Sequence, residues 1–115
     1  MKPAASYEAM RARHRWRVPE RFNMGVAVCD KQRQRDVALI HPLPGSEVRE
    51  YTFSDLKRLS NRLANRLLAH GLNRSNRVGI LLPQAPETVV AHIAIYKAGL
   101  VSVPLFVLFG ADALE

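Results

Sequence analysis

The sequence has one cysteine, no two glycines at phosphate-loop spacing, and no apolar run approaching the roughly 20 residues that span a bilayer. The lone Cys29 excludes an internal disulfide, and without a Cys or His pair at ligand spacing it gives no zinc signature. A reducing cytoplasm is the expected compartment. Glycines at 25, 45, 71, 79, 99 and 110 build neither GxGxxG nor GxxxxGK, so no nucleotide cradle is encoded. GxSxG and HExxH are also missing, and His14, His41, His70 and His92 are scattered, so each is expected to be structural or exposed. No apolar core followed by a small-residue cleavage site marks a secretory signal. Glu8 and Glu20 interrupt the arginine-rich start, which speaks against an import signal.

What remains has ordinary globular composition: 48% hydrophobic and 23% charged residues over 115 positions fit one small soluble domain. The formal charge of +7 is unevenly placed. Residues 1–35 hold nine Lys or Arg against three Asp or Glu, whereas residues 36–115 hold eight against seven. A basic arm of this kind attracts phosphates. Its few aromatics, Tyr7, Trp16 and Phe22, do not interleave with the arginines as stacking platforms would. A solvated basic surface is the preferred reading, with no nucleic-acid and no membrane partner.

Along the chain, residues 5–15 are good helix formers ahead of Pro19. Phe22–Gln34 has apolar residues near helical spacing, broken by Gly25, and reads as a helix. Val37–Ile40 reads as a strand, His41–Ser46 as a loop, and Val48–Phe53 as a second strand paired antiparallel with the first. Ser54 is the expected N-cap of the best helix, with Asp55 complementing its dipole. Leu56, Leu59, Leu63 and Leu67 line one face, and packing on a sheet explains them better than a short zipper. His70 and Gly71 close this helix. Val78–Leu82 reads as a strand buried on both faces, Pro86–Lys97 as a helix opened by Pro86 and Glu87, and Val101–Leu105 as the next strand. Strand, helix, strand, helix, strand argues for an α/β unit with right-handed parallel connections.

The stretch from Tyr51 to Leu105 resembles the early part of AMP-forming acyl-CoA synthetases. The resemblance rests on Tyr51-Thr52-Phe53, Asn61-Arg62-Leu63-Ala64, Gly71, Arg77-Val78, Pro86-Glu87, Lys97-Ala98-Gly99 and Val103-Pro104-Leu105. RFNMGVAVCD at 21–30 and LFGADALE at 108–115 also resemble members acting on acetate or medium-chain acids, extending the likeness to about residues 16–115. Departures are Ser75-Asn76 where the family usually has Gly-Asp, Gln32-Arg33-Gln34-Arg35 without the usual Pro or Gly, and Ala111 in place of proline.

The resemblance implies a partial N-terminal piece of the large adenylate-forming domain, with helices packed on a mixed sheet. Residues 1–20 form a basic segment and 21–115 an incomplete portion of the AMP-binding domain. The family joins a carboxylic acid to coenzyme A through an acyl-adenylate, using ATP and magnesium. Its phosphate loop and catalytic lysine come later in the chain, so no catalytic, cofactor-binding or metal residue carries over here. Ser54, Gly71, Pro86, Gly99 and Pro104 are fold markers. The chain alone is expected to be inactive and poorly soluble, since apolar strands would normally be covered by later parts of the domain. The alternative is an interaction module without catalysis, or a piece that associates with the missing remainder.

Overall fold

A computed structural model describes residues 6–108. The elements run α1 (Tyr7–Arg13), a π-helical turn (Val26–Asp30), β1 (Val37–Pro42), β2 (Val48–Thr52), α2 (Phe53–Ala69), β3 (Arg77–Ile80), α3 (Pro86–Lys97) and β4 (Val101–Pro104). The fold is α/β, as the alternating patterns require. Its mixture of antiparallel and parallel pairing is divided between two small sheets. β1 and β2 pair antiparallel, with Ile40 opposite Glu50, while β3 and β4 pair parallel, with Val78 opposite Ser102.

Helix α2 is amphipathic. Leu56, Ser60 and Ala64, four residues apart, are its buried positions, and Arg58, Arg62 and Arg66 stay wet. Ser60 and Ala64 are small residues on this buried side, which the leucine pattern alone did not announce. Leu59, Leu63 and Leu67 are half-buried. Helix α3 is apolar on more than one side and serves two core clusters, as a helix covered on several faces must. Ala91 and Ile95 meet Ile80 and Leu100, while Ile93 meets Cys29 and Leu56. Burying a side chain such as Ile95, 1% exposed, contributes about 2–3 kcal/mol.

Four sequence expectations need correction. The N-cap of α2 is Thr52, not Ser54. Its hydroxyl accepts from the Asp55 N–H at 3.2 Å, and the Asp55 carboxylate accepts from the Thr52 N–H at 3.1 Å, a reciprocal capping box. The helix read over 22–34 is a short turn ending at Asp30, after which Gln34 Nε2 donates to the carbonyls of Cys29, Asp30 and Gln32. Those bonds close the loop that lacks Pro and Gly. The strand read over 78–82 is Arg77–Ile80, and it is not buried on both faces: within it only Ile80 is buried, and Leu81 and Leu82 beyond it are exposed. Finally, β2 and β3 belong to different sheets, so the parallel unit is β3–α3–β4. The helix expected over 5–15 is Tyr7–Arg13 and buries no residue. Ala111 and most of the LFGADALE segment lie outside the described residues.

Candidate functional site

Among the described residues, a polar cluster joins the 23–30 turn to the two long helices. Asn23 Nδ2 donates to the Lys97 carbonyl at 3.0 Å, at the end of α3, and Asn23 Oδ1 accepts from the Val26 N–H at 3.0 Å. Gly25 follows at the point of closest approach. A Cβ there would lie 2.7 Å from Lys97 Cγ and 2.8 Å from the Ile93 carbonyl oxygen, so only glycine seats the turn on α3. The Lys97 side chain, 7% exposed, reaches back over the turn. Its ammonium donates to Asn61 Oδ1 of α2 at 2.8 Å and pairs with Asp30 at 2.5 Å. Asp30 Oδ1 is buried, and its contact with the Lys97 ammonium is what offsets its desolvation. Cys29, fully buried beside this pair, donates weakly from Sγ to the Phe53 carbonyl at 3.7 Å. Burial pushes its thiol above the ordinary range, more than the Lys97 charge pulls it down, the condition of a packing residue.

The turn before β3 explains a departure in the sequence. Ser75 has φ +72°, a left-handed conformation that costs a side chain about 1–2 kcal/mol and a glycine almost nothing. Serine thus stands where the resembled family has glycine. Its neighbour Asn76 does what an aspartate does in such a turn: Oδ1 accepts from the Asn73 N–H at 2.6 Å. The turn holds Ser75 under strain. Gly71 and Gly99, at φ +87° and +72°, end α2 and α3 in the same left-handed region without that penalty.

The histidines do not meet. His92, on α3, lies 3.3 Å from the Tyr96 hydroxyl through Nδ1, and that hydroxyl also accepts from Ser102 Oγ at 3.3 Å. This chain of long bonds ties α3 to β4. His70 Nδ1 sits 2.9 Å from the Arg66 carbonyl, His14 packs edge-on against Trp16, and His41 lies opposite Arg49 across the β1–β2 pair. Among the fold markers, Ser54 is exposed at the start of α2, and Pro86 is the first residue of α3 and buried. Pro104 ends β4 opposite Ile80.

An open cleft of about 790 Å³ lies between residues 19–24, Arg74 and the end of α3. Arg21 and Arg74 line it, but its one lysine is already held by Asp30 and Asn61. The glycines of the described residues are dispersed singly and build no glycine-rich loop. No group of three or more His, Cys, Asp or Glu among them converges as metal ligands do. No helix among them is long and apolar enough to cross a membrane. What this arrangement does chemically is to hold three segments together.

Sequence reasoning placed Asn23, Asp30, Asn61 and Lys97 inside resemblance segments but gave none of them a role. A buried lysine far in sequence from its partners leaves no local pattern.

Comparisons with known proteins extend these findings. The sequence profile of the AMP-binding enzyme family matches residues 26–115. The human acetyl-coenzyme A synthetase 2-like, mitochondrial, is 36% identical over 104 residues, which are 86% of this chain and 15% of that protein. A Brucella canis acyl-CoA synthetase crystal structure superposes on 81% of this chain with a TM-score of 0.76 at 32% identity, using 17% of its own chain. The ATP-bound structure of MatB from Rhodopseudomonas palustris superposes on 80% of this chain with a TM-score of 0.65 at 25% identity, using 18% of its own. This chain therefore spans less than a fifth of the length of each of these relatives.

Proposed function

Because the chain belongs to the AMP-binding enzyme family, we propose that it serves an AMP-dependent ligase that activates a carboxylic acid with ATP and transfers the acyl group to coenzyme A. Acetate or a medium-chain fatty acid is the substrate class, and magnesium assists the ATP step. The observation that carries this reading is the superposition on an acyl-CoA synthetase over 81% of the chain at a TM-score of 0.76. Residues 21–115 are a portion of the adenylate-forming domain, and residues 1–20 a basic segment before it. No residue of this chain is catalytic or binds ATP, magnesium or coenzyme A. Its contribution is structural, and by itself it is inactive. Its compartment in this reading is the cytoplasm.

A graft tests the assignment. Residues 23–108 replace the superposed segment of the Brucella canis enzyme, and acid-dependent AMP release with coenzyme A is measured. Retained ligase activity is expected. A folded graft without activity contradicts the reading.

A further inference from the structure

Residues 6–22 stand apart from the rest of the molecule. Except for the half-buried Ala9, every residue among them is exposed, and α1 buries nothing. The first buried residue of the described chain is Gly25, and the family profile begins only at Val26. The hydrogen bonds of the segment are short-range: Ser6 caps α1, and Arg15 Nη1 donates to the carbonyls of Ala12 and His14 at 3.1 and 3.2 Å. Among the described residues the ion pairs are Arg58–Asp55 and Lys97–Asp30, so Arg11, Arg13, Arg15, Arg17 and Arg21 have no carboxylate partner. Interspersed with these arginines, Tyr7, Met10, Trp16, Val18 and Phe22 are all exposed, Trp16 at 84% and Val18 at 81%. The His14 and Trp16 rings meet edge-on with their centres 4.7 Å apart, so these two residues share one side of the extended chain that leaves α1.

We propose that residues 7–22 are a docking arm for an anionic bilayer surface, lying in the headgroup layer without crossing it. Charge brings the arm there: five arginines against Glu8 and Glu20 leave it net positive, and acidic lipid headgroups supply the missing counter-charges. Apolar side chains hold it there. Tryptophan and tyrosine settle at the level of the headgroups, methionine, valine and phenylalanine reach the acyl boundary, and arginine stems lie along it with their guanidinium groups at the phosphates. Binding of this kind scales with buried apolar area plus attraction to acidic lipids, and the arm supplies both. A nucleic acid offers the same phosphates, but Met10 and Val18 give its bases nothing to stack on. A merely solvated surface, the reading preferred from the sequence, leaves the exposure of Trp16 and Val18 unexplained. The arm precedes the residues that the family profile matches, so its docking stands apart from the ligase reading.

Flotation on a density gradient tests this on the full chain, since vesicle-bound protein rises and aggregate sinks. The vesicles are phosphatidylcholine alone or with about one-third phosphatidylserine. The chain is expected to float with the acidic vesicles only. Trp16 is the one tryptophan, so its emission reports on the arm directly: a shift to the blue and quenching by lipids brominated in the acyl chains are expected. Arg13→Gln, Arg15→Gln and Arg17→Gln together should lower binding at least about ten-fold, and Trp16→Ala about three-fold. The same charge removed from the exposed side of α2, as Arg58→Gln, Arg62→Gln and Arg66→Gln together, should change it less than about two-fold. Equal loss from the two triple variants overturns the proposal, leaving only the general attraction of a +7 chain. Flotation with unchanged Trp16 emission overturns it too, as does tighter binding to a single-stranded oligonucleotide at equal phosphate.

Discussion

The two sides of α3 are finished differently. On one, Gly25, Cys29 and Asp30 close against the helix through a backbone contact, a buried thiol and an ion pair, and Lys97 ties them to α2. On the other, Ala91 and Ile95 meet β3, whose surface continues into exposed leucines and an open groove. The first side satisfies its polar groups from within the described chain. The second is apolar and open, the condition of a surface that another segment covers. The difference is that polar closure here is local and already made, while the apolar layer is only begun.

Breaking the closed side should have the largest effect. Gly25→Ala forces a methyl into the Ile93 carbonyl and Lys97 and is expected to destabilise by about 3 kcal/mol, read by urea unfolding. Lys97→Met keeps the stem and removes the charge, leaving the Asp30 carboxylate desolvated without a counter-ion. A loss of about 2 kcal/mol is expected, and adding Asp30→Asn should restore part of it. A null effect of Lys97→Met would make the closed side no more polar in its support than the open one.

Smaller changes sharpen the comparison at the ends of α2 and before β3. Thr52→Ala removes the cap and should cost about 1 kcal/mol. The same cap gives a pH dependence. Hydrogen bonds from the Thr52 hydroxyl and N–H hold the Asp55 carboxyl below its ordinary value, so its contribution is complete above about pH 4, the unfolded value, and is lost as pH falls through the lower folded one. Stability of the Thr52→Ala chain should therefore fall less steeply in acid than that of the parent. On the open side, Ser75→Gly relieves the left-handed serine and should stabilise by about 1 kcal/mol without altering Asn76. Unchanged or lowered stability would show that the turn carries no strain.

Most elements were legible because their causes are local. The 3.6-residue leucine stripe of α2, Pro86 at the first turn of α3, and the turn-rich break between β1 and β2 each lie within a few residues of what they specify. The misses have equally definite causes. Thr52 and Ser54 are both hydroxyls near the helix start, and only the three-residue spacing from Thr52 to Asp55 identifies the cap. Leu81 and Leu82 look like strand, but β4 ends at Pro104 opposite Ile80, so the ladder stops there. The strain at Ser75 is hidden because serine replaces the residue that would signal a positive φ. The clamp is non-local: Asn23 and Asn61 lie 74 and 36 residues from Lys97.

The central claim is that this chain contributes scaffold and not chemistry to an adenylate-forming enzyme. Acid-dependent exchange of pyrophosphate into ATP, measured on the purified chain with acetate, butyrate and octanoate, tests it most directly. No exchange above buffer is the expected result, and exchange that depends on the acid would contradict the account.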